Sequence, residues 1–519
     1  MTVYHGQIIS CDKDNSIYNY LIEDKGRILY LGDVLPDQYA NDNVIKVEGA
    51  LMPSFVDTHM HFGSYAIFSA TADIKCATSH EEILEILLDY DQREKPQRIL
   101  SFGASAHSVK EKRLMTREEL DSVFASKPIS IICYDGHSCI NNSAMLNSYP
   151  NSVREARGFD AENGNITRES FFLAVDYLTS QISTPTLIGN LNAAYDKLAA
   201  VGIGMIHATE GVGFPRDMDV TLTSVIARGQ KSGFQTRLFF QSNDLSKIIK
   251  RKLPRSGGCF EAALDGCFGC CDAALNEPYD SQPDNYGILY RKPEEVQEFV
   301  ISSHRKGLQV SLHCIGDKAT DIFLDAVEAA LKDMPRTDHR HTMIHADLLR
   351  QDQRERILEL GVLIARQPYM LNWNLEPHEY YRNILGDRVE NMSLYKTEIS
   401  MGIHIGAGSD APVIDPAPFK SIHKLLNQSD SSKNIKIEQA LRMHTYNGAF
   451  MTFDECDRGS LEIGKIADMI IVDHNPMEVN PSDLEDIKVT DTILSGKRYR
   501  PDQKSASVLL RGLCRRGGI

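Results

Sequence analysis

Two histidines one residue apart, His59 and His61, end the short apolar run Pro53-Ser54-Phe55-Val56-Asp57-Thr58. Side chains at i and i+2 of a strand point to one face, so both imidazoles would be presented to the same spot. Imidazole is the commonest protein ligand for borderline-soft ions such as zinc. Four more positions with ligating side chains lie at or near the ends of apolar runs. His313 closes Gln309-Val310-Ser311-Leu312, and His345 closes Thr342-Met343-Ile344. Asp410 follows Ile405-Gly406-Ala407-Gly408-Ser409, and Glu261 sits inside Gly257–Gly266. Four neutral nitrogens with two carboxylates suit one or two divalent ions. The chemistry of such an ion is activation of water and polarisation of a carbonyl.

These positions span some 350 residues, so the fold must bring them together. Between residues 54 and 458, β-branched apolar runs alternate with helical patterns, the signature of a parallel sheet. Ten strands are expected, at 54–61, 98–104, 128–134, 203–208, 235–241, 257–264, 308–313, 341–346, 362–367 and 403–408. A (β/α)8 barrel uses eight and gathers their carboxyl ends at one mouth. At least two strands therefore belong to an insertion, expected at about 62–200. Helices are expected after the capping boxes Ser79–Glu82 and Thr116–Glu119 and over 316–332. Residues 1–53 read as short antiparallel strands, and 459–519 as further strands and a loose tail. The two ends are expected to pair into one small β-sandwich.

Composition narrows the functions. The chain has 519 residues, 42% hydrophobic and 24% charged, as in a soluble globular protein. A net charge of −15 argues against nucleic acid or an anionic membrane as partner. The start lacks the pattern of a signal peptide, and no apolar run reaches a membrane span. Eleven scattered cysteines fit reduced thiols in the cytoplasm. Cys267-Phe268-Gly269-Cys270-Cys271 lacks an answering pair and reads as a loop feature. Asp317 reads as a helix cap or a support for His313, His207 as a core or mouth residue, and His404 as structural. Cys314 points away from the face that His313 presents.

Val56–His61, Asp135-Gly136-His137, Leu312–Asp317, Ile344-His345-Ala346 and Gly408–Pro412 resemble the amidohydrolase superfamily, in its YtcJ-like branch, amidohydrolase family 3. Gly459–Asp468 is similar to that superfamily's return to its β-sandwich. The resemblance implies a metal-dependent hydrolase with a (β/α)8 barrel, a split sandwich and an inserted subdomain. It implies that His59 and His61 hold the more buried metal with Asp410, and that His313 and His345 hold a second, if present. It also implies that Asp410 takes the proton of the water that the metal activates, and that His137 contacts substrate. Trp373, past the strand at 362–367, is a further substrate candidate. At 261 relatives usually carry a lysine; Glu261 offers a bridging carboxylate ready made and leaves one or two ions open. Ser54 replaces the usual Pro-Gly.

The expected reaction is hydrolysis of a non-peptide carbon–nitrogen bond, amide-type and possible in N-formyl or N-acyl form, by metal-activated hydroxide. A deaminase or cyclic-amide hydrolase would use the same site. A relative kept for binding or regulation would be expected to lose a ligand, and all six positions carry competent ones. The expected partners are a small-molecule substrate and a second copy in a homodimer.

Overall fold

The computed structural model describes residues 1–39, 43–259, 263–501, 505–515 and 519. Its centre is an eight-stranded parallel sheet, nearly closed, in strict chain order: β1 (Phe55–Met60), β2 (Ile203–Glu210), β3 (Gln235–Phe240), β4 (Arg255–Gly258), β5 (Gln309–Cys314), β6 (Thr342–His345), β7 (Leu363–Arg366) and β8 (Ile405–Ala407). Every residue of β1, β2, β5, β6 and β7 is buried, as expected of parallel strands covered on both faces. The two edges of the sheet meet where the Asp410 N–H donates to the His59 carbonyl at 2.8 Å. Helices between the strands include Asp317–Asp333, the expected 316–332 helix displaced by one residue.

Two of the ten expected strands lie outside the barrel. Ile99–Ala104 and Ile129–Cys133 form a five-stranded sheet with Ala72–Asp73, Ser138–Asn141 and Asn165–Thr167. Thr116 and Glu119 make the expected capping box; Ser79 accepts from Glu82 N–H, but the Glu82 carboxylate turns to Thr78.

The chain ends share one seven-stranded sheet, in which Met469–Val472 pairs antiparallel with Asn43–Pro53. Thr2–Ile9 runs parallel to Asn43–Pro53, which corrects the all-antiparallel reading of the first 53 residues. Of the expected strand at 257–264, Gly257 and Gly258 end β4, Cys259, Ala263 and Leu264 lie in no strand, and 260–262 lie outside the described residues. The tail is not loose throughout. Ser505–Cys514 is a helix packed on Met218–Gly229, with Val508 fully buried. Among the described residues no helix is long and apolar enough to cross a membrane.

Candidate metal centre

His59, His61, His313, His345 and Asp410 converge at the carboxyl ends of β1, β5, β6 and β8, and all are buried. Asp410 Oδ1 lies 3.0 Å from His59 Nε2 and 3.3 Å from His61 Nε2. The His59 and His345 rings are 5.7 Å apart, and those of His313 and His345 4.7 Å. One ligating atom each from His59, His345 and Asp410 fall within 4.8 Å of one another. Glu261 lies outside the described residues.

Burial pushes His59 and His313 down to about 4, and it lowers His345 as well. Neutral imidazole is the form that binds a metal. Burial works to raise the Asp410 carboxyl, but the facing His59 and His61 rings outweigh it and hold the group well below the usual carboxylate range. Two polar atoms test whether an ion fits. Asp410 Oδ1 and His313 Nδ1 are buried and take no hydrogen bond among the described residues. Such atoms are costly unless something else satisfies them: a cation beside Asp410 Oδ1, between the His59 and His61 ring nitrogens, does so there, whereas His313 Nδ1 faces Asp265 Oδ1 at 3.2 Å, which leaves its Nε2 for an ion. The donor set fits a divalent ion.

The surrounding groups orient these ligands. His345 Nδ1 lies 2.7 Å from Gln367 Oε1, while Gln367 Nε2 donates to the Ala365 carbonyl. That arrangement leaves Nδ1–H as the donor and the lone pair on Nε2. His345, Ala346 and Asp410 have φ of 71°, 54° and 59°, left-handed values that cost energy for such residues. Arg366, fully buried, holds this bend: Nε donates to the His345 carbonyl at 3.0 Å, Nη2 to the Ala346 carbonyl, and Nη1 to Glu398. Asp57 Oδ1 accepts from His59 N–H at 3.2 Å and Ser409 N–H at 3.0 Å, tying β1 to the Asp410 loop. Burial raises the Asp57 carboxyl to about 6.

Sequence reasoning missed three of these residues. Cys259 has its Sγ 3.4 Å from His59 Nε2 and within 4.8 Å of both His313 and His345. The strand-end rule applied at β4 would have found it. Asp265, beside His313 Nδ1 at 3.2 Å, accepts from Ala274, Ile315 and Gly316 N–H, and burial raises it to about 7. Arg366 carried no local signal. Asp317, by contrast, bonds Asn276 and Arg350, so it neither caps its own helix nor touches His313. His207, buried, meets Thr452 Oγ1 at 3.3 Å, and His404, half-buried, meets the Asn447 carbonyl.

A cavity of about 500 Å³ opens beside His61. Phe68, Phe102, Phe171, Phe172 and Phe214 line it, together with Asp135 and His137. Trp373 stands edge-on to Tyr134, ring centres 5.4 Å apart, and is not among the lining residues described. Cys270 Sγ donates to Asp135 Oδ2 at 3.0 Å, so the cysteine-rich loop reaches the cavity's wall.

The sequence pattern of the amidohydrolase family matches residues 48–499. The chain is 24% identical to the YtcJ protein of Bacillus subtilis over 95% of its own length and 98% of that protein's. It is 22% identical to the N-substituted formamide deformylase of Arthrobacter pascens, covering 96% and 97% of the two chains. An uncharacterized metal-dependent hydrolase from Pyrococcus furiosus superposes with a TM-score of 0.73 at 25% identity, over 92% of this chain and 100% of that one. With a barrel whose mouth gathers four histidines and an aspartate, and a family match over most of its length, the chain belongs to the amidohydrolase family of hydrolases acting on carbon–nitrogen bonds.

Proposed function

We propose that this enzyme is a divalent-metal hydrolase of small-molecule amides outside peptide chains, with N-formyl and N-acyl amines as the first class to test. The observation that carries the reading is the convergence of His59, His61, His313, His345 and Asp410 on one buried spot. Zinc is the proposed ion, one or two per chain, because nitrogen and carboxylate donors suit it. When bound, such an ion acidifies a water and polarises the scissile carbonyl. Asp410 then accepts a proton from the attacking water on its carboxylate and passes it to the leaving nitrogen, a general base followed by a general acid. The imidazoles of His59, His61, His313 and His345 hold the centre in place. Glu261 is retained as a proposed carboxylate ligand from the sequence alone.

The phenylalanine-lined cavity beside His61 supports an apolar or aromatic group on the non-reacting side of the substrate. His137, on its wall, is the proposed polar contact; Trp373 is proposed to act further out. The eleven free thiols support a reducing, cytoplasmic setting, and a homodimer completes the proposal.

The test is a panel of N-formyl and N-acyl arylalkylamines run beside amino-substituted purines and pyrimidines. Release of carboxylate with free amine supports the reading. Ammonia release from the heterocycles alone would move the enzyme to the deaminases and overturn it.

A further inference from the structure

Cys259 occupies a position between the two histidine pairs. Its Sγ forms one compact group with His59 and His61 and another with His313 and His345, each within 4.8 Å. The fold puts it there by register. Gly258 on β4 pairs with Leu312 on β5, so the next residue, Cys259, falls beside His313. Gly257 and Gly258 take φ of 99° and 141°, and a Cβ on Gly258 would stand 2.5 Å from Gln241 Cγ. Those two glycines let the chain turn and approach the mouth closely.

A buried cysteine usually acts as a small hydrophobe among apolar neighbours. Cys259 is 5% exposed and instead faces the His59 ring nitrogen at 3.4 Å and three more imidazoles, those of His61, His313 and His345. An aliphatic role does not account for four polar neighbours.

We propose that Cys259 is a metal ligand, its thiolate shared between the His59–His61 side and the His313–His345 side of the centre. The inference rests on the metal-centre reading and deepens it: the bridging anion comes from sulfur, at the position where an earlier strand end delivers it. On binding, the S–H bond is replaced by sulfur–metal bonds, and one proton leaves to solvent. Thiolate is a strong ligand for zinc and cobalt.

The experiment loads the full-length protein, stripped with a chelator, with cobalt(II) alone. Wild type is expected to bind cobalt and show a near-ultraviolet thiolate-to-cobalt charge-transfer band. Cys259→Ser is expected to lose that band and bind less cobalt, with its circular dichroism unchanged. Glu261→Ala is expected to keep the band, and so is Cys270→Ser, which removes a thiol of the outer loop. Cobalt bound by wild type without a charge-transfer band overturns the thiolate ligand while leaving the metal centre standing. This outcome needs no variant to fold. A band kept in Cys259→Ser and lost in Cys270→Ser also overturns it, by moving the sulfur ligand to the loop. No cobalt bound at all overturns the metal centre itself.

Discussion

Replacing Glu398 by glutamine tests how the centre's strained bend is held. Glu398 is 0% exposed and is the anion between two buried guanidiniums. Arg366 Nη1 donates to one of its oxygens, and Arg354 Nε lies 3.3 Å from the other. Glutamine keeps the volume, so the change opens no cavity and isolates the charge. Breaking a buried ion pair from one side costs about 3–5 kcal/mol, because the partner's charge stays buried. With an unfolding entropy of about 2.1 cal/mol/K per residue, a 519-residue chain has about 1.1 kcal/mol/K, which turns that cost into a Tm lowered by roughly 3–5 °C. A smaller cooperative unit gives a larger fall, so about 3 °C is the minimum expected. Differential scanning calorimetry on chelator-stripped protein reads this without any contribution from metal. Arg366 also binds the carbonyls of His345 and Ala346, so the variant should lose metal to a competing chelator sooner than wild type. A Tm within about 1 °C of wild type and unchanged chelator resistance would refute the reasoning.

Asp410→Asn keeps the shape of the side chain but cannot take a proton; turnover should fall by about 10²–10⁴-fold or more with circular dichroism unchanged, and an active variant would contradict the role given to Asp410. Glu376, buried with the Tyr134 and Tyr381 hydroxyls against it, is raised from 4.5 to about 7 chiefly by burial. Its folded pKa is the higher one, so it contributes stability below about 4.5 that is lost as pH rises to about 7. Glu376→Gln should therefore gain roughly 2–3 kcal/mol on wild type between pH 4 and 8 in urea unfolding; a difference that does not change with pH would refute this.

Much of the barrel was legible because parallel strands buried on both faces read as continuous apolar runs, and each of the four site histidines ends or follows one. The centre's histidines and Asp410 could be proposed as one group because a barrel gathers its strand ends. What escaped depended on register and close approach. β4 stops at Gly258, since two glycines with positive φ bend the chain, so the sequence pattern ran on to 264 and drew attention to Glu261 instead of Cys259. Asp265 was in view inside its motif, but its contact with His313 follows from the loop after β4, which periodicity does not describe. Arg366 and Glu398 are 32 residues apart and look like ordinary surface charges until burial is known. The parallel pairing of Thr2–Ile9 with Asn43–Pro53 was hidden because alternation in short strands does not reveal direction.

The most direct measurement is the metal content per chain, by elemental analysis of protein purified without chelators, with a His59→Ala/Asp410→Ala double variant beside it. About one to two divalent ions in wild type, and a clear loss in the folded variant, are expected of a centre built from nitrogen and carboxylate donors. A wild-type protein that hydrolyses its substrate while holding no metal, or a variant that keeps the full content, would contradict the assignment of these residues as a metal centre.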